Sequence, residues 1–232
     1  ADEINRTPPK TQSALLEAMR ACEVAGADSI TVHLRADRRH IQERDIRDLR
    51  EAVAGKLNLE MGNTREILEI ALDAVPDFVC LVPENRQEIT TEGGLDAVAH
   101  AGELEETVRR LQGAGIEVSL FIDPEQAQVK ACADLGVEMV ELHTGAFANA
   151  AGDSARRDGE LGRLIEGAGL AHGAGLRVNA GHGINSGNIR GLYRVPHLVE
   201  LNIGHHLVSR AITVGLAAAI AEMRALMDGY GS

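Results

Sequence analysis

Residues His172–Gly183 read HGAGLRVNAGHG, and the order of events along them decides the fold. A helix closes at His172-Gly173, an Ala-Gly joint turns the chain, and the β-rich run Leu176 to Asn179 follows. That run stops in a second glycine turn, Gly181-His182-Gly183. The same punctuation recurs as VAGADSI (Val24–Ile30), LQGAGIEV (Leu111–Val118) and DLGVEMV (Asp134–Val140). Each is a helix end, a glycine and a strand, the joint of a tandem of βα units around a parallel sheet.

Working outward, RVNAGHG is a strand delivering an ionisable side chain, His182, to a rim between glycines. Glycine lets the backbone turn sharply and lets an anion approach its N–H groups. VELNIGHH (Val199–His206) repeats the pattern, with Gly204-His205 ending a strand-like run. In a βα-barrel the loops after the last two strands are where phosphate usually binds.

Hydrophobic periodicity and caps give the remaining elements. Helices are expected over Gln12–Ala25, Asp45–Ala54, Leu104–Leu111, Glu160–His172 and Leu207–Met227, with a short one over Asn188–Tyr193. Asn63 is read as the cap of a helix running to Ala74, with Glu66 completing a box-like signal. Asp123-Pro124 is read as N-cap and first residue of a helix ending near Leu135. Strands are expected at Ser29–Leu34, Leu57–Met61, Phe78–Val82, Glu117–Ile122, Met139–His143, Leu176–Asn179 and Leu198–Ile203. Pro83 to about Asp96 is a long polar loop. Seven strands are one short of a closed (β/α)8 TIM barrel. The first strand is not evident, only the weak ADEIN segment being available for it. An open doubly wound sheet is the alternative, but no GxGxxG follows a strand, so a dinucleotide site is poorly supported.

The 232 residues fit one βα-barrel domain with a sizeable core. A hydrophobic fraction of 44% with only 2% aromatics makes that core aliphatic. The net charge of −12 argues against a nucleic-acid surface, so an anionic substrate needs a local electropositive pocket. Cys22, Cys80 and Cys132 form no CxxC and read as buried thiols of a reducing cytoplasm. No stretch has the length of a membrane span and no signal-peptide core is visible at the start, so a soluble, intracellular protein is expected.

The strand ends carry His33 with Arg35, Glu60, Glu141 with His143, His182 and His205. Polar groups there are the catalytic candidates of a barrel, whereas strand interiors are apolar. A strand-end histidine taken alone fits a satisfied structural group as well as a catalytic one, and Glu141 fits a structural ion pair. Glu60, between Leu59 and Met61, is harder to dismiss because a buried carboxylate is costly without a use or a partner. His100, His172, His197 and His206 read as solvated or structural. Arg38-Arg39-His40 reads as a solvated turn that, beside His33 and Arg35, could also hold a phosphate. The lysines are Lys10, Lys56 and Lys130, none at a strand end, which disfavours an enzyme-bound Schiff base. HxH, HExxH and GxSxG are absent, so neither a metal-hydrolase spacing nor a nucleophile elbow is signalled, although strand-end His and Glu could converge on a metal in space. Acid–base chemistry on a phosphorylated small molecule, run by His and Glu without a cofactor, remains.

GADSITVHLRADRRHI, LNLEM, CLVPENRQEITTEGGLD, VSLFID, ELHTG, VNAGHG and ELNIGH together resemble the pyridoxine 5′-phosphate synthase family of deoxyxylulose-phosphate-dependent vitamin B6 synthesis. They span about Gly26 to Met227 in order. The resemblance implies a (β/α)8 barrel that condenses 1-deoxy-D-xylulose 5-phosphate with 3-amino-2-oxopropyl phosphate to pyridoxine 5′-phosphate, inorganic phosphate and water. It implies His33 as proton acceptor, Glu60 as an acid–base group, His182 as proton donor and Glu141 as an assisting group. Arg35, His40 and Thr90 would hold the deoxyxylulose phosphate, and Gly183, Gly204 and His205 the other phosphate. Pro83–Gly94 would close over the substrates, and the assembly would be a homo-octamer. The family's opening strand and loop, of the type VNIDHIATLRNARG, have no match in ADEINRTPPK, and weak or no activity is expected if that segment is truly lost. Two other readings stand beside the synthase: a phosphosugar isomerase or epimerase barrel, and a non-catalytic barrel that binds phosphorylated ligands.

Overall fold

The computed structural model describes residues 9–84 and 93–231, with the side chains of 9–15 left aside. The ADEIN segment and Thr90 lie outside the described residues. Seven strands form one parallel sheet in chain order: β1 (Ser29–Leu34), β2 (Lys56–Met61), β3 (Phe78–Leu81), β4 (Glu117–Ile122), β5 (Met139–His143), β6 (Arg177–Gly181) and β7 (Leu198–Asn202). Helices connect them: α1 (Pro9–Val24), α2 (Glu43–Ala52), α3 (Arg65–Ala74), α4 (Ala101–Gly113), α5 (Gln126–Leu135), α6 (Gly145–Asn149), α7 (Ser154–Gly173), α8 (His205–Val214) and α9 (Leu216–Met227). Among the described residues β1 and β7 are the sheet's two edges. The sheet curls enough for side chains to bridge those edges: Ser29 Oγ donates to Glu200 Oε1 and Thr31 Oγ1 to Asn202 Oδ1, each at 3.1 Å. Among the described residues this is the (β/α)8 barrel architecture with seven of its strands in place.

The strand pleat divides the side chains between two faces. Ile30, Val32, Leu34, Leu57, Leu59, Val79, Leu120 and Val140 point outward to the helices and join one continuous apolar core. Parallel registry places His33 beside Glu60, Glu60 beside Cys80, and Phe121 beside Glu141 on the inward face. Burying a Val, Leu or Ile contributes about 1.5–3 kcal/mol, so the outer layer stabilises the fold while the lumen can carry polar groups. Cys80, Val82 and Phe121 form a small separate apolar cluster inside.

Several expected boundaries are corrected. The cap of α3 is Thr64, not Asn63. Thr64 is extended (φ −119°, ψ 146°) and its side chain accepts from Ile67 N. Asn63 turns to α4 instead, accepting from Thr107 Oγ1 at 2.6 Å. Asp123 does not cap α5, which starts after Glu125, because its carboxylate is drawn to the barrel rim. The helix expected from Glu160 begins at Ser154, where Asp153 accepts from Arg156 N at 3.0 Å. The expected final helix is two, broken at Gly215 (φ +82°). Strand β7 ends at Asn202, so Gly204-His205 opens α8 rather than closing a strand. The segment expected as a short helix is the 3-10 turn Ile189–Arg194. Cys80 and Cys132 are buried and Cys22 half-buried, all as free thiols. No helix among the described residues is long and apolar enough to cross a membrane.

Candidate active site

A cavity of about 1430 Å³ runs between the edge strands β1 and β7, from α1 and α9 up to the C-terminal ends of the strands, and its wall includes His33, Glu60, Glu141, His143, His182 and Asn202. His33, the fifth residue of β1, lies between two carboxylates. Its Nδ1 is 3.7 Å from Glu60 Oε2 and its Nε2 is 3.1 Å from Glu84 Oε1. Glu60, on β2, is 18% exposed and faces the cavity. Burial pushes its carboxyl above the usual range, and the neighbouring His33 only partly offsets this.

Glu141, on β5, is 1% exposed. Burial first, and the nearby Glu60 second, push its pKa up to about 8, although Asn202 Nδ2 donates to Oε2 at 2.6 Å. Gly181 makes room for this carboxyl: a Cβ there would lie 2.0 Å from Glu141 Oε1. At neutral pH the lumen therefore holds a protonated carboxyl, a group able to donate.

His182 sits at φ +77°, in left-handed space that disfavours a side chain. Thr144, fully buried, lies against this turn, its one Oγ1–H shared between the carbonyls of Gly181 and His182. The His182 ring packs on Phe121 (4.8 Å between centroids) and edge-on to His143 (5.6 Å). Burial, then the neighbouring His143 and His33, lower its pKa to about 4, so its resting form is neutral. His143 is fixed in turn by Asp123, whose Oδ1 is 2.9 Å from Nδ1 while Oδ2 accepts from Gly94 N at 3.1 Å. The His143 hydrogen bond outweighs burial and holds the Asp123 carboxyl below the usual range.

The geometry thus brings His33, Glu60, Glu141 and His182 to one cavity. Gly183 (φ +72°), Gly204 and His205 line the same wall, where α8 begins. A helix N-terminus beside a glycine turn is suited to a phosphate. Arg35 and His40 lie in the segment between β1 and α2 and are not among the residues lining the cavity. Arg35 is buried, with its guanidinium on Asp37 at 3.2 Å, and His40 is half-buried. Arg38 is drawn to Glu43 and Glu66. Lys56 is the first residue of β2, at the opposite end from Glu60, with Nζ 4.6 Å over the Phe78 ring. The sequence gives no site signal for Glu84, Asp123 or Asn202, while His143 stands among the strand-end candidates without a role of its own. The V-E-L-H alternation, which puts Glu141 and His143 on one strand face, was the available signal for His143.

A parallel βα-barrel with its ionisable groups gathered at the strands' C-terminal ends is an enzyme of the TIM-barrel type. The solved 3-hexulose-6-phosphate synthase superposes with a TM-score of 0.65 at 16% identity, covering 93% of this chain and 94% of that one. The phosphoribosyl anthranilate isomerase of Thermus thermophilus does so with 0.58 at 18%, covering 92% and 94%. At such identities the likeness concerns the fold. The family model described as "Pyridoxal phosphate biosynthesis protein PdxJ" matches residues 6–229, and the chain belongs to this family. The pyridoxine 5′-phosphate synthase of Akkermansia muciniphila is 55% identical over 218 residues, 94% of this chain and 88% of that protein. The Parasynechococcus marenigrum synthase is 54% identical over 206 residues, 89% and 82% of the two chains.

Proposed function

We propose that this chain is a transferase that condenses 1-deoxy-D-xylulose 5-phosphate with 3-amino-2-oxopropyl phosphate, forming pyridoxine 5′-phosphate, inorganic phosphate and water. The observation that carries this reading is the convergence of His33, Glu60, Glu141 and His182 on one cavity, in a chain matched to the PdxJ family over residues 6–229.

The amine of one substrate attacks the ketone of the other, so the imine needs no lysine. Proton removal from the carbon beside the imine then drives loss of water and of phosphate; one water adds at the carbon the phosphate leaves, giving the hydroxymethyl group, and ring closure with a further dehydration completes the pyridine. His33, with Nδ1 turned toward Glu60, is the proton acceptor. Glu60 relays the proton, burial holding its carboxyl above the ordinary value and so favouring its protonated form. His182 donates to departing oxygen. Neutral at rest, it gains basicity when anionic substrates bring negative charge into its pocket. Glu141 assists as a buried protonated carboxyl that donates to developing oxyanions.

Gly183, Gly204 and His205 hold the phosphate of the aminooxopropyl substrate. Arg35, His40 and Thr90 hold that of the deoxyxylulose, after Arg35 exchanges Asp37 for phosphate. Pro83–Gly94 closes over the substrates and keeps bulk water from the dehydrating steps. The working form is a cytoplasmic homo-octamer, which light scattering on the eluted protein tests directly.

Calorimetric titration of the Glu60→Gln variant, stalled in chemistry, tests the two-substrate site. Both phosphorylated ligands are expected to bind together. Saturation by either one with exclusion of the other contradicts the reading and favours a single-substrate isomerase.

A further inference from the structure

We propose that Glu84 is a positioning residue for His33: it fixes the imidazole as the Nε2–H tautomer and leaves Nδ1 as the proton-accepting nitrogen beside Glu60. The inference deepens the synthase reading and rests on it for its kinetic consequences.

The hydrogen-bond inventory around Glu84 admits one assignment. Oε1 accepts from Gly62 N at 3.1 Å and Oε2 from Ala36 N at 2.9 Å, so both oxygens face backbone donors. The third partner, His33 Nε2, lies 3.1 Å from Oε1. A carboxylate already receiving two N–H groups is an ionised acceptor, and the ring nitrogen facing it must carry the proton. Burial alone would raise the Glu84 carboxyl, but the His33 hydrogen bond and the two backbone N–H groups outweigh it and hold it low. In a neutral ring Nδ1 then bears the lone pair, 3.7 Å from Glu60 Oε2.

The groups facing His33 agree with this division. Glu60 approaches from β2 with its pKa raised, Glu84 from beyond β3 with its pKa lowered, and His182 from beyond β6. One carboxyl thus exchanges protons with the ring while the other holds the ring still. The backbone is shaped to admit Glu84: a Cβ at Gly62, directly after β2, would meet Glu84 Cδ at 2.8 Å. Both anchors, Ala36 and Gly62, belong to the loops leaving β1 and β2, so Glu84 ties the strands bearing His33 and Glu60 to the segment following β3.

The direct test is nitrogen-15 NMR of the His33 ring in the intact protein, its signals assigned by their loss in His33→Gln. The Nε2–H tautomer is expected, and a predominant Nδ1–H tautomer overturns the proposal whether or not the protein turns over. Kinetically, Glu84→Gln should lower kcat by as much as His33→Gln does, about 10²–10⁴-fold for a lost general base, with the KM values little changed. In the His33→Gln background the same substitution should cost nothing more, because residues acting as a unit are not additive. An equal further loss there shows that Glu84 acts independently of His33 and refutes the positioning role. A wild-type protein that makes no pyridoxine 5′-phosphate refutes the synthase reading instead, and the tautomer still decides this one.

Discussion

Replacing Glu141 by glutamine should stabilise the protein in alkaline buffer and leave it nearly unchanged in acid. The carboxyl ordinarily ionises near 4.5 and here near 8, because it is buried on the lumen face with Glu60 nearby. Between those values the unfolded chain has released its proton and the folded chain has not. The unfolded state therefore binds fewer protons, and stability falls as pH rises through the window. Each pH unit inside it costs about 1.4 kcal/mol, so the wild type gives up about 5 kcal/mol between the two values, a large share of the roughly 5–15 kcal/mol that holds a domain folded.

Glutamine does not titrate, and its amide oxygen can still accept from Asn202 Nδ2, now 2.6 Å from Glu141 Oε2. Below the ordinary carboxylate pKa the two proteins should then differ by no more than about 1 kcal/mol. Glu60 is common to both, and its repulsion of the ionised Glu141 carboxyl, absent from the variant, is part of this difference. Urea unfolding at a series of pH values measures the difference. It should grow steadily in favour of Glu141→Gln from acid to mildly alkaline buffer. A difference that stays constant across that window refutes the claim that Glu141 is held protonated.

Glu60→Gln keeps the shape of the carboxyl and removes its proton transfer, so turnover should drop about 10²–10⁴-fold with folding intact. Survival of full turnover means that the acid–base assignment is wrong. Gly181→Ala forces a Cβ to within 2.0 Å of Glu141 Oε1. It should destabilise by about 1–3 kcal/mol and lower kcat as the carboxyl is displaced, and a variant matching wild type in both urea unfolding and turnover contradicts the packing described. Thr64→Ala removes the α3 cap at Ile67 N and should cost about 1 kcal/mol in urea unfolding without changing turnover, whereas an equal loss from Asn63→Ala through α3 fraying would restore Asn63 as the cap.

The glycine joints made the barrel legible. They mark where a helix must stop before an apolar strand, and the strand ends then follow from alternation within two residues, the largest shift being at β6, which runs on to Gly181. The short α6 was not legible, because Gly145–Asn149 holds barely more than one turn and shows no periodicity. Nor was the break at Gly215, set in the apolar run TVGLAAAI, where only the backbone angle reveals it.

In the site, the strand-end rule found His33, Glu60, Glu141 and His182, since each is a costly residue in an apolar strand or a glycine turn. Their partners needed three dimensions. Asp123 meets His143 from 20 residues away, Glu84 meets His33 from 51, and Asn202 meets Glu141 from 61. Asp123-Pro124 even carries a local helix-start signal that its tertiary bond to His143 overrides. Tertiary bonds of this range leave no local pattern to read.

The most direct test of the account is phosphorus NMR of the protein with both phosphorylated substrates together. One inorganic phosphate is expected for each pyridoxine 5′-phosphate formed, and none when either substrate is omitted. Phosphate released from one substrate alone, or no pyridoxine 5′-phosphate from the folded protein with both present, contradicts it.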